Sequence, residues 1–166
     1  VIRHLYNEYL KVIIMPTMQT VRKKAKSFYN YSESNGKAQK YIVKPWNKWT
    51  GRCVNCKVTP WCQIFVGSVM HQCKATYTKT SGCKQAIDWY KSKKRWKARS
   101  AKPKVGYQIF VNGHKHTGLI TSIDSKRKGY LIYISGNCNN AVKYSSIKYT
   151  SNKKIDGYGI PYYSDI

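Results

Sequence analysis

Acidic residues are what this chain most lacks. Its 166 residues hold 6 Asp+Glu against 31 Lys+Arg, a formal net charge of +25. Most of the positive charge therefore has no counter-charge within the chain, and the molecule repels itself while attracting polyanions. Nucleic acid, the phosphate polymers of a bacterial cell wall and an anionic membrane face all satisfy these electrostatics, so charge alone does not choose among them. Long apolar runs are also missing. The longest near the start, Val12-Ile13-Ile14-Met15, falls far short of the roughly 20 residues that a membrane-spanning helix needs. Internal repeats and low-complexity segments are absent as well, and this length predicts one domain with a genuine core. The start, Val1-Ile2-Arg3-His4, has neither an initiator Met nor a signal-cleavage pattern, which reads as a piece of a longer chain or a trimmed terminus.

Cysteine is present without being abundant. Six, at positions 53, 56, 62, 73, 83 and 138, are too few and too unevenly spaced for a disulfide scaffold in a chain this long. Cys73 and Cys83 lie within apolar or helical patterns and read as packing thiols.

Residues 1–16, closed by Pro16, read as an N-terminal extension or linker, and residues 17–166 as the domain. Val21, Ala25, Phe28 and Tyr29 recur at helical spacing. A turn cluster from Asn30 to Lys37 precedes a short helix over Ala38–Val43, expected to end before Pro45, with Trp46 and Trp49 then in a loop. Further helices are predicted from Cys62 to about Cys73 and from about Cys83 to Lys94. Beyond Pro103 the segments Tyr107–Val111, Thr117–Ile123, Tyr130–Ile134 and Val142–Tyr149 are rich in Ile, Val, Thr and Tyr and separated by turn residues, as strands are. Helices first and strands afterwards, with no βαβ alternation, give an α+β layering rather than a parallel sheet.

Chemistry concentrates at Pro60-Trp61-Cys62-Gln63-Ile64-Phe65-Val66 and, about fifty residues on, His116-Thr117-Gly118-Leu119-Ile120. A thiol attacks a carbonyl only as thiolate, so a nucleophilic cysteine needs a helix N-terminus or a nearby imidazole to lower its pKa. Cys62 falls in the first turn of a predicted helix, and His116 enters a predicted strand. The two can meet where helix packs on sheet.

These residues carry a resemblance. Pro60-Trp61-Cys62 with Ile64-Phe65-Val66, then Trp89 and Trp96, Val105-Gly106, Ile109-Phe110, His116-Thr117-Gly118 and Gly136-Asn137, taken in this order, resemble the CHAP domain of the NlpC/P60 and papain-like cysteine peptidases and amidases. Gly157-Tyr158-Gly159-Ile160-Pro161 looks like the closing segment of phage endolysins that carry it, and the likeness spans about residues 20–163. It implies a papain-like fold with N-terminal helices packed on a four- to six-stranded antiparallel sheet. It also implies hydrolysis of an amide bond in peptidoglycan, either between muramic acid and L-alanine or within the stem peptide and its cross-bridge, in an extracellular setting or at the host cell wall, by a monomer that needs no cofactor or metal. Cys62 would be the nucleophile, His116 the general base, and Asn137 or Ser135 the group that orients the imidazole. The family usually has Glu-Gly-Asn where Ser135-Gly136-Asn137 stands, so the expected carboxylate is missing. Tyr107 likewise replaces a common Asp, and Gly67-Ser68-Val69 a common Ser-Trp-Cys. Trp61 is expected to line the substrate groove, with Gln63 and His114 beside it. His114 could also exchange roles with His116.

Two alternatives stand beside this one. A weakened relative would use the same fold and charge to adhere to anionic cell-wall polymers. Alternatively Cys53-x-x-Cys56, completed by Cys62, His71 or Cys73, would bind zinc in a nucleic-acid-binding protein, although a second closely spaced ligand pair is missing. Trp46, Trp49 and the tyrosines interleaved with Lys suit stacking on bases, but no nucleic-acid-binding motif emerges.

Overall fold

A computed structural model describes residues 15–166; most of the predicted N-terminal extension lies outside them. Thr17 opens the first helix, α1 (Met18–Ser27), by accepting a hydrogen bond from the Thr20 amide, which satisfies one of the otherwise orphaned first-turn donors. Val21, Ala25 and Phe28 are buried as the spacing predicts, whereas Tyr29 is exposed.

The next prediction fails at its end. The chain does not break before Pro45: a wide turn over Gln39–Val43, in which the Lys44 amide bonds to the Gln39 carbonyl, leads directly into α2 (Lys44–Thr50). Proline is tolerated there because its missing N–H falls in the first turn of the following helix. Trp46 and Trp49 are consequently helical, not in a loop, and Trp46 is wholly buried in the core.

After an irregular segment come α3 (Cys62–Gln72) and α4 (Cys83–Ser92), close to their predicted bounds. The rest is sheet: β1 (Trp96–Ala98), β2 (Gln108–Val111), β3 (His116–Ile123), β4 (Tyr130–Cys138), β5 (Ala141–Lys148) and β6 (Ile155–Gly159). They form one six-stranded sheet in the order β1-β6-β2-β3-β4-β5 with antiparallel pairing throughout. The fold is α+β. β1 and β6 were not predicted as strands. One is three residues long, and the other, Ile-Asp-Gly-Tyr-Gly, carries two glycines, so neither holds the β-rich run on which strand prediction depends.

Strand alternation divides the apolar residues between two faces. Phe110, Leu119, Ile134 and Val142 join the helices in the main core, and Ile109, Val111, Ile120, Leu131, Tyr133, Ile155 and Tyr158 form a second cluster. The central helix α3 lies on β3 and β4, and nine of its residues, from Cys62 to Met70, are buried. It fits so closely because Gly136 has no side chain. A Cβ there would stand 2.5 Å from the Cβ of Phe65 and 2.7 Å from the Trp61 ring. Overpacking of that kind displaces backbone. Gly136→Ala is expected to lower stability by about 1–3 kcal/mol, read as a reduced urea midpoint.

Candidate active site

Cys62 opens α3. Trp61 precedes it in a non-helical conformation (φ −124°, ψ 19°), and no side chain caps the helix. The first-turn amides are thus left to whatever occupies the helix start, and the Gln63 amide adds to the lowering of the Cys62 pKa. The sulfur meets a second thiol, with Sγ of Cys83, the first residue of α4, 3.9 Å away. Both cysteines are buried, with 6% and 7% of their surface exposed.

His116, the first residue of β3, lies close enough to the Cys62 thiol to help lower its pKa. Its Nε2 is engaged elsewhere, 2.9 Å from the Ser135 Oγ on β4. That leaves Nδ1 as the nitrogen that can serve the thiol. When Nε2–H donates to the buried Ser135 hydroxyl, the tautomer is set with the Nδ1 lone pair available. Of the two orienters the sequence offered, the structure brings Ser135 to the imidazole. Asn137 instead occupies the bulge between Ser135 and Cys138, at φ 54°, a left-handed conformation that asparagine tolerates better than most residues.

These surroundings lower the Cys62 pKa to about 5. The Cys83 S–H donating to the Cys62 sulfur acts most strongly, burial opposes, and His116 and the Gln63 amide add to the lowering. Cys83 moves the opposite way, held as a neutral thiol chiefly by that same hydrogen bond and by burial. His116 and the Gln63 amide both act on Cys62, which favours the charge on that sulfur.

Behind the pair lies a closed polar ring. Gln63 Nε2 donates to Tyr77 Oη (3.0 Å), Tyr77 donates to Gln108 Oε1 (2.6 Å), and Gln108 Nε2 donates back to Gln63 Oε1 (2.9 Å). Tyr90 also donates to Gln108 Oε1 (2.9 Å), while Gln108 Nε2 donates to Thr117 Oγ1 (2.8 Å), which in turn donates to the Ile109 carbonyl. Burial pushes both phenols up, so they remain donors. Gln108 thereby uses all of its hydrogen-bonding capacity in a dry site. It ties the residue after Cys62 to the residue after His116.

Two of the expected substrate contacts are corrected by this geometry. Gln63 is fully buried in the ring, and Trp61 is fully buried with its indole N–H on Glu33 Oε1 at 2.9 Å. Both belong to the scaffold beneath the dyad, because neither presents surface to a ligand. His114 sits in the β2–β3 turn at φ 65°, its amide on Asp156 Oδ2. His116 alone of the two reaches the thiol.

The described carboxylates are all committed elsewhere. Glu33 holds Trp61, Asp88 pairs with Lys84, Asp124 with Arg127, Asp156 accepts the Gly113 and His114 amides, and Asp165 accepts the Met18 amide. None supplies the missing orienter. Among the described residues no group of three or more His, Cys, Asp or Glu is arranged to hold a metal ion. Cys53 is exposed, Cys56 is buried with its amide on Gln39 Oε1, and His71 stacks on Trp49 at 4.6 Å. Among the described residues no helix is long and apolar enough to cross a membrane.

Comparison with protein-family models, with curated proteins and with solved structures found no match. The site therefore rests on its own geometry.

Sequence reasoning passed over Cys83 and Gln108. Each left a signal: Cys83 follows Gly82 at a helix start, as Cys62 follows Trp61, and Gln108 and Gln63 are polar residues inside otherwise apolar runs. Replacing Gln108 with Leu leaves Tyr77, Tyr90, Gln63 and Thr117 short of partners, at a cost of about 3 kcal/mol or more in denaturant unfolding. Cys83→Ala removes the donor that most stabilises the Cys62 thiolate. The pH at which Cys62 becomes half-reactive toward iodoacetamide is expected to rise from its lowered position toward the ordinary thiol range.

Proposed function

We propose that this protein is a cysteine hydrolase of the CHAP and papain-like kind, cleaving an amide bond in peptidoglycan. The observation that carries the reading is the low-pKa Cys62 at a helix start, joined to an imidazole whose far nitrogen is held by Ser135. The ordered motif resemblance and the charge of +25 support the substrate class, since a polycation is retained on wall phosphates.

The chemistry follows from the residue types. The Cys62 thiolate attacks the carbonyl carbon, and the Cys62 amide at the open helix start faces the developing oxyanion. Protonated His116 then gives its proton to the leaving amine, the acyl group remains on sulfur as a thioester, and His116 activates the water that releases it.

Ser135 makes this triad unusual. A hydroxyl orients the ring but brings no negative charge to stabilise the imidazolium, so turnover slower than with a carboxylate at this position is expected. The same substitution favours a second reading, in which the domain chiefly adheres to anionic cell-wall polymers and hydrolyses little.

Wild type and Cys62→Ala, compared on Gram-positive cell walls for release of new amino groups and loss of turbidity, separate the two. Hydrolysis that disappears in Cys62→Ala, and whose kcat falls roughly 10²–10⁴-fold in His116→Gln, supports the enzyme. Equal behaviour of all three proteins, with salt-sensitive binding retained, supports the adhesive module.

A further inference from the structure

Cys83 has no step in the hydrolysis just described, yet it is placed as if for a covalent one. Its sulfur stands 3.9 Å from that of Cys62, and each cysteine begins its own helix, so the two side chains face each other across adjoining helix starts. The remaining four cysteines are not part of this contact. Cys53 is exposed, Cys56 is buried against Gln39, Cys73 ends α3 and Cys138 reaches toward Ser145 Oγ.

We propose that Cys62 and Cys83 form a peroxide-sensing pair, in which oxidation of Cys62 is resolved by Cys83 into a reversible disulfide that switches the site off. This rests on the reading of Cys62 as the reactive thiol, and not on which bond the enzyme cuts. A thiolate reacts with a hydroperoxide where a thiol does not, so oxidation begins at Cys62 rather than at Cys83. With hydrogen peroxide the Cys62 sulfur attacks one oxygen, the O–O bond breaks, Cys62 becomes a sulfenic acid and the departing hydroxide takes a proton to leave as water. The Cys83 sulfur then attacks the sulfenic sulfur, the S–O bond breaks, and the hydroxide released combines with the Cys83 proton. Two thiols lose two electrons, one peroxide gains them, and two waters form. An external dithiol returns the two electrons by exchange.

Geometry favours this closure over further oxidation. The sulfurs must approach by roughly 2 Å to reach bonding distance, and the first-formed sulfenic acid has its resolving thiol already in contact. While the bond is closed, Cys62 cannot form a thiolate, and the dyad is silent.

The test exposes the 166-residue chain to stoichiometric hydrogen peroxide and maps its cysteines by mass spectrometry without reduction. The expected result is a Cys62–Cys83 cross-linked peptide with the loss of two hydrogens, complete loss of alkylatable Cys62, and full recovery with dithiothreitol. In Cys83→Ser a dimedone-reactive sulfenic acid should persist on Cys62 and pass on to irreversible oxides. Conversion of wild-type Cys62 to sulfinic or sulfonic acid with Cys83 still free would overturn the proposal, as would bonds that join other cysteines. If the cross-link forms but the reduced protein hydrolyses no cell wall, the switch stands and the reading as a peptidoglycan hydrolase falls.

Discussion

The side-chain amide of Gln108 is the constraint on which the site depends. It sits in the middle of the sheet, on β2, wholly out of water. An amide in such a place is tolerable only when both its oxygen and its nitrogen are satisfied. Satisfying it recruits Gln63 from α3, Thr117 from β3, Tyr90 from α4 and Tyr77 from the connection between the two helices. Two of these residues are the immediate successors of Cys62 and His116. Apolar packing would hold helix against sheet with some freedom to slide. The directional bonds remove that freedom at the two positions on which the proposed chemistry relies.

Close approach is the second requirement, and Gly136 meets it. The first turn of α3 rests almost on the backbone of β4, with Trp61 and Phe65 filling the space that a side chain would take. That docking sets the open helix start beside Ser135 and the imidazole it holds. The bulge at residues 136 and 137 then turns the strand away. Trp61, anchored to Glu33, closes the far side. Each described carboxylate is engaged elsewhere, and it is a serine that faces His116.

The surface follows different physics. Among the described residues two ion pairs neutralise lysine or arginine, and both include exposed side chains. Exposed pairs of this type add little to stability. Several cations instead rest over aromatic rings, among them Arg95 on Tyr162 at 4.2 Å and Arg127 on Tyr130 at 4.6 Å. These contacts accommodate positive charge without neutralising it, so the polyanion-attracting character of the sequence persists in the folded molecule.

Much of this was legible beforehand. Helical spacing and β-rich runs located α1, α3, α4 and β2 to β5, and the α+β class follows from their order. The positions of Cys62 at a helix start and His116 at a strand start were readable for the same reason: both lie at boundaries where composition changes abruptly. What stayed hidden depended on contacts between distant segments. Pro45 looked like a stop because the wide turn before it has no sequence signature. Cys83 looked like packing, and Gln108 like one more strand residue, because their partners are 21 and as many as 45 residues away. Sequence by itself determined the charge, the layering and the two reactive residue types. Only the tertiary structure decided that Ser135 orients the ring, that Trp61 and Gln63 lie beneath the site, and that a second thiol touches the first. Each of these is set by which side chains meet when the helices close on the sheet, a matter of distance in space that local propensity does not encode.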